Sequence, residues 1–276
     1  MADRGFICMA QNNSTTDYLR LAYLQCLSCK LTNPDIPYAV VTDSVSAKTL
    51  TPKMREAFDY VIELKIDIAE DQEWKQRNDW QLFKLSPFTE TIKLEADLLL
   101  TRSIAHWWCM LEHKDVVLSL GCRDYKGNVA SSRAYRQIFD SNHLPDIYSG
   151  LMYWRKSELA NYFFNTCGNI YLNWDEVSKT LIRCDDPGSN DIVFALAAQI
   201  VGSDLVTLPA ADFFNFTHMK SAINGIPESW KWTVEHHVEV APPNIRVGGY
   251  EQWYPFHYHT KDWATDKLIE LYERAR

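Results

Sequence analysis

The first 65 residues constrain the fold most, because they alternate short apolar runs with amphipathic segments. Gly5-Phe-Ile-Cys-Met-Ala10 reads as a strand, and the polar cluster Gln11 to Asp17 after it is rich in helix-capping side chains. The spacing predicts a helix from about Asp17 to Leu31, stopped by Asn33-Pro34. Tyr38-Ala-Val-Val41 is a second strand, Thr51-Pro52 caps a helix to about Phe58, and Tyr60-Val-Ile-Glu-Leu64 is a third strand. Alternating strands and helices build a parallel sheet with helices packed on its faces, so the expected class is α/β. Such sheets bind ligands beyond the carboxyl ends of their strands. Those ends offer Ala10, Gln11 and Asn12 after the first strand and Thr42-Asp43 after the second, without a glycine-rich phosphate loop.

Thr91-Ile-Lys-Leu-Glu-Ala-Asp-Leu-Leu-Leu100 reads as a further strand, buried on both faces. Glu95 and Asp97 lie two residues apart, which on a strand puts both carboxylates on one side. A buried carboxylate needs a partner, a hydrogen bond or a metal, so the pair is a candidate divalent-cation site. The plainer reading has one acid exposed at the strand end and the other capping the next segment.

The chain of 276 residues is ample for a large core, and its 10 Trp, 14 Tyr and 12 Phe exclude disorder. A net charge of -8 confines any nucleic-acid contact to a local basic patch. Residues 1–6 show no signal pattern and no run of about 18 apolar residues occurs, so a cytoplasmic protein without a membrane segment is expected. The odd count of 7 cysteines suits a reducing compartment, and Cys26-Leu-Ser-Cys29 reads as helix packing rather than a zinc or redox site. The sequons at Asn13 and Asn215 carry no meaning without secretion. No repeat or linker interrupts the chain, so 1–276 is taken as one domain, with halves 1–100 and 101–276.

Trp74 to Leu85 is predicted helical, with Lys84 four residues after Trp80, and Ser86-Pro87 ends it. Val116 to Leu120 is a strand. Gly121 to Asp140 carries Arg123, Lys126, Arg133 and Arg136 against Asp124 and Asp140, an excess of two positive charges in an acidic chain. With Tyr125 and Tyr135 interleaved, this is either a solvated connection or an acceptor-binding loop for an anionic partner. Asp146 to Gly150 reads as a polar turn feeding an apolar strand, where Gly150 would let a ligand approach the backbone closely. Ser157 caps a helix to about Thr166. Asp185 to Asp191 precedes a buried helix over Ile192 to Ala198, and Asn190 and Asp191 at its start are caps, sugar-hydroxyl ligands or a general base. Near the end, His257 and His259 share one face of an extended segment with Lys261 following, a candidate metal ligand and phosphate contact.

Taken together these pieces resemble the GT-A-fold glycosyltransferases, in particular glycogenin and the bacterial lipopolysaccharide galactosyltransferases. Lys93-Leu-Glu-Ala-Asp97 resembles that family's Asp-x-Asp motif, with Glu95 in place of the first acid. Tyr148-Ser-Gly-Leu-Met resembles its donor-sugar strand, Ser189-Asn-Asp191 its sugar-recognising helix start, and His257-Tyr-His-Thr-Lys261-Asp-Trp263 its late His-to-Lys-Pro-Trp segment. The resemblance implies a GT-A-like mixed, mainly parallel sheet flanked by helices, a UDP-sugar donor, and Mn²⁺ or Mg²⁺ on Asp97, Glu95 and His257. His218 with Lys220 is the rival metal-and-phosphate pair.

It further implies donor contacts from Ala10, Gln11, Asn12, Tyr18, Asp43, Lys84, Glu95, Ser149, Gly150, Asn190 and Lys261. Asp191, and after it Asp146, would orient or deprotonate the acceptor hydroxyl. Ala10 to Tyr18 and Pro87 to Asp97 also resemble glycosyltransferases of tailed phages, some of which decorate hydroxymethylated pyrimidines in DNA, including with arabinose. On that reading the donor sugar is arabinose or a hexose, and Arg123, Tyr125, Lys126, Arg133 and Arg136 would meet the DNA with the base flipped out. A glycan or lipopolysaccharide acceptor, a nucleotidyltransferase and a nucleic-acid-binding module are the alternatives, and the oligomeric state is left open.

Overall fold

The computed structural model describes residues 3–70, 72–73, 75–182, 186–209 and 211–276. Its main sheet contains β1 (Arg4–Met9), β2 (Tyr38–Thr42), β3 (Tyr60–Glu63), β4 (Glu90–Leu94), β6 (Val116–Leu120) and β7 (Ile147–Arg155), in the order β3-β2-β1-β4-β7-β6. Strands β1 to β4 are parallel, and β7 runs against both of its neighbours. The fold is therefore a mixed α/β one, with a mainly parallel sheet flanked by helices. Alternate residues face opposite layers: Phe6 and Cys8 point into one core, Ile7, Ala39 and Val41 into the other. The first core lies under the helix Tyr18–Thr32, the second under Glu158–Leu172 and Asn190–Val201.

Local signals explain the helix boundaries. The Asp17 carboxylate accepts from Arg20 N at 3.0 Å, and the helix stops where Asn33 N donates to Cys29 O at 2.7 Å. Thr51 caps Pro52–Ala57 through Met54 N at 3.2 Å, and Ser157 caps Glu158–Leu172 through Ala160 N at 3.1 Å. Cys26 and Cys29 are buried in their helix, and burial pushes the Cys26 thiol up to about 12, as packing residues require. Among the described residues, no helix is long and apolar enough to cross a membrane.

The strand read across 91–100 is two: β4 ends at Leu94, Glu95 to Asp97 form a turn closed by Leu98 N to Glu95 O at 2.9 Å, and Leu98–Leu99 form β5. The two acids thus share a turn, not one face of a strand. Trp74 lies outside the described residues, and the rest of the predicted helix is a 3-10 segment, Lys75–Gln81, followed by one short turn, Leu82–Leu85. Asn78, Asp79 and Gln81 all point inward there, which a regular amphipathic helix would not allow. The turn expected at Asp146 to Gly150 lies largely within β7, which begins at Ile147. The helix after Ser157 runs past Thr166 to Leu172, and the later one extends over Asn190–Val201, while Asp185 lies outside the described residues.

Two small sheets were not anticipated. β8 (Thr217–His218) and β12 (Phe256–His257) join β5 in the order β5-β12-β8, with His257 paired to Leu98 on one side and His218 on the other. β9 (Val238–Ala241), β10 (Asn244–Val247) and β11 (Tyr250–Glu251) form an antiparallel meander before β12. The first of these sheets ties the C-terminal segment to the acidic turn.

Candidate active site

The turn Glu95 to Asp97 is held from beneath. The Gln25 amide donates to both Glu95 O and Leu98 O and accepts from Tyr38 OH at 2.7 Å, while Glu95 N donates to Gly150 O at 2.9 Å. With the backbone fixed, the side chains meet β12. His257 Nε2 lies 3.0 Å from Asp97 Oδ2 and 3.4 Å from Glu95 Oε2, and Lys261 forms an ion pair with Asp97. Asp97 is 3% and His257 6% exposed, so these groups interact with little solvent screening. Burial pushes the Asp97 carboxyl up, but His257 and Lys261 outweigh it and hold the group well below the usual carboxylate range. Burial keeps Glu95 raised despite Lys93 and His257. One acid is thus held ionised and the other is less readily so.

One ligand atom from each of Glu95, Asp97 and His257 lies within 4.8 Å of the others. Two carboxylate oxygens with one imidazole nitrogen, and no thiolate, suit Mn²⁺ better than Mg²⁺, which prefers an all-oxygen shell. His218 stacks on His257, ring centroids 4.6 Å apart and planes at 9°, and lies beside the triad rather than in it. Burial first, then His257, keeps the His218 imidazole well below its ordinary value. His259 does not continue the face of His257: at φ 60° the chain turns, and the ring is exposed 6.1 Å from that of His257.

On the β1–β2 side, Gln11 donates to Asp67 at 2.8 Å and to Asp43 at 3.3 Å, and accepts from Asn78 Nδ2 at 2.8 Å. Asp43 also accepts from Ser46 Oγ at 2.7 Å, and Ser46 Oγ from Asn12 N at 2.8 Å. Ala10 is buried with its N–H on Val41 O. Asp67 and Asn78 escaped the sequence reading, since neither sits at a strand end. The half-buried Tyr18 ring faces Lys261, whose ammonium is 5.9 Å from its centroid. A cleft of about 260 Å³ opens beside Lys261, lined by Thr15, Thr16, Asp17, Arg20 and Thr265 among others. Lys84 lies elsewhere, exposed with its ammonium 5.7 Å from the Trp80 ring centroid.

On the β7 side, charge holds the polar groups. Asp191 Oδ1 accepts from Ser149 N and Oγ, both at 2.8 Å, and Arg136 Nη1 donates to Asp191 Oδ2 at 2.7 Å. Arg136 also donates to Asp146 at 2.8 Å and to Ile147 O at 2.6 Å, and Arg133 pairs with Asp146. Lys93, 1% exposed, donates to Asp79 at 2.9 Å and to Ser149 O at 2.7 Å. Asn190 Nδ2 donates to the same Asp79 oxygen at 2.9 Å and accepts from Tyr171 OH. The buried ion pair of Asp79 was invisible in sequence, because its partner Lys93 is 14 positions away in another element. A Cβ on Gly150 would stand 2.9 Å from Glu95 Oε2, so the close approach expected of a ligand is made by the Glu95 carboxylate.

The basic segment is largely matched within the protein. Besides the inward pairs of Arg133 and Arg136, Arg123 pairs with Asp212 and lies 4.6 Å from the Tyr254 ring centroid. Tyr125 is buried and stacks on Trp230 at 5.4 Å. Lys126 is exposed near the Tyr125 ring. The excess positive charge counted along this stretch therefore does not form an outward patch, because its countercharges come from distant Asp146, Asp191 and Asp212.

No family model and no curated protein matches the chain. Among solved structures it is similar to mouse xyloside xylosyltransferase 1 in its apo form, at 13% identity over 75% of this chain and 85% of that one, with a TM-score of 0.48. An active-site mutant of LgtC aligns at 14% identity over 74% of this chain and 71% of that one, TM-score 0.46. The glycosyltransferase GlyE of Streptococcus pneumoniae TIGR4 aligns at 9% over 75% and 45%, TM-score 0.44, so the chain spans less than half of GlyE. Likenesses at this level fix no residue role.

Proposed function

We propose that the chain is a metal-dependent glycosyltransferase moving a sugar from a UDP-sugar donor to an acceptor hydroxyl. The carrying observation is the convergence of Glu95, Asp97 and His257, with Lys261 beside them, just beyond the carboxyl end of β4. A divalent cation held there, Mn²⁺ or Mg²⁺, would supply positive charge to the departing diphosphate. Lys261 contributes a second charge on the same side, and Tyr18 lies against it. Gln11, Asn12 and Asp43 end the strands where a nucleoside would lie, in a network of amides, hydroxyls and carboxylates that can exchange partners.

Asp191 has one oxygen on Ser149 and the other on Arg136, which leaves acceptor capacity for a sugar hydroxyl. That arrangement favours orientation of the sugar over proton abstraction. Asp146, gripped by two arginines, serves to hold Arg136. The acceptor proposed from the phage resemblance is a 5-hydroxymethylpyrimidine in DNA, with a glycan or lipopolysaccharide hydroxyl as the alternative. The inward pairing of Arg133 and Arg136 leaves Lys126 and the exposed edge of that segment as the DNA contact.

Incubation with UDP-sugars and Mn²⁺, with plain DNA, hydroxymethylated DNA or oligosaccharides, tests the reading. Sugar transfer releases UDP; pyrophosphate release would instead make the protein a nucleotidyltransferase. DNA binding with strong salt dependence, but no melting shift from metal or UDP-sugar, would make it a binding module. Donor turnover with no modified DNA would leave sugar transfer standing and remove the DNA acceptor.

A further inference from the structure

The β7 side of the site carries a cation, Lys220, that lies apart from the Glu95, Asp97 and His257 triad and from Lys261. Around β7, Arg133 and Arg136 face Asp146 and Asp191, two positive charges against two negative. Lys220 is additional. Its ammonium lies 4.1 Å from the Tyr135 ring centroid and, unlike Lys93 and Lys261, it makes no ion pair among the described residues, although Asp191 and Glu95 lie near enough to act on its charge. Tyr135 OH is 3.1 Å from Tyr148 OH, and Tyr135 stands edge-on to His218, which stacks on the metal-site His257. Lys220 thus flanks the triad on the sugar side, as Lys261 does on the nucleotide side next to Tyr18.

We propose that Lys220, with the Tyr135 and Tyr148 hydroxyls, forms an anion subsite that takes a carboxylate or phosphate group carried by the sugar-side substrate. The ammonium is half-buried and stacked on an aromatic face, which offsets part of its lost hydration; an anion would supply the rest. Tyr148 OH also pairs with the Cys122 thiol, and when it donates to Tyr135 the Tyr135 O–H is left to donate to the same anion. Naming the ligand as part of a donor or acceptor rests on the sugar-transfer reading, while the subsite itself does not.

The test is calorimetric titration of inorganic phosphate at constant ionic strength into wild type, Lys220→Met and Lys220→Arg, each alone and with Mn²⁺ and UDP. The subsite predicts phosphate binding to wild type, weakened roughly tenfold or more in Lys220→Met and regained in Lys220→Arg, with UDP affinity unchanged. Equal phosphate affinity in wild type and Lys220→Met overturns it, as does a parallel loss of UDP binding, which would put Lys220 among the nucleotide contacts. UDP-glucuronate and UDP-glucose then separate the sources. A preference for the glucuronate that Lys220→Met abolishes places the anion on the donor, and equal affinity for both places it on the acceptor. If UDP binds none of the proteins, the sugar-nucleotide reading fails, and the phosphate titration without UDP still decides the subsite.

Discussion

The two sides of the acidic turn hold their polar groups by different means. Toward β1 and β2, Gln11, Asn12, Ser46 and Asn78 join Asp43 and Asp67 through hydrogen bonds from neutral donors. Toward β7, Asp79, Asp146 and Asp191 are each gripped by a buried cation, Lys93 or Arg136. Neutral hydrogen bonds are individually modest and exchange readily with a ligand, whereas a buried ion pair that loses one partner leaves an uncompensated charge. The β1–β2 side can therefore rearrange around what it binds, and the β7 side presents a fixed set of groups.

The largest expected effect lies on the fixed side. Lys93→Met leaves Asp79 buried without its cation and should lower unfolding free energy by about 3–5 kcal/mol, read from denaturant midpoints. A loss below about 1 kcal/mol would mean that Asn190 alone satisfies Asp79 and that charge does not organise this side. Next comes Gly150→Ala, whose new methyl would meet the Glu95 carboxylate. It should cost roughly 1–3 kcal/mol and weaken Mn²⁺ binding. The shorter acid of Glu95→Asp, in the same chain, should recover part of both, and no recovery would show that the clash is with something other than Glu95. Smallest is Gln11→Ala on the exchangeable side. A change of about 1 kcal/mol in stability is expected, with a clear fall in UDP affinity by calorimetry. Destabilisation as large as that of Lys93→Met would remove the distinction between the two sides.

Much of this arrangement was legible in the sequence where one segment carries its own signal. β1 to β3 and their helices follow from apolar runs bracketed by Asp17, Asn33-Pro34 and Thr51-Pro52, each of which makes the expected cap or stop. The break after Leu94 was hidden because Leu98 to Leu100 continue the apolar run in a different sheet, paired with β12. β8 and β12 are two residues each, too short for any periodicity to show. The charge pattern of 121–140 misled for a related reason: a count along the chain cannot see that the arginines face Asp146, Asp191 and Asp212. Lys93 likewise looked like part of a motif, and only the fold shows it as the buried partner of Asp79.

The central claim is that Glu95, Asp97 and His257 form one divalent-cation site that presents the donor diphosphate. Calorimetric titration of UDP into wild type and Asp97→Ala, each with Mn²⁺ and with chelator, tests it most directly. Wild type should bind UDP far more tightly with Mn²⁺ than with chelator, and Asp97→Ala should lose that metal dependence while still melting cooperatively. Equal Mn²⁺-dependent UDP binding by the two proteins would contradict the account.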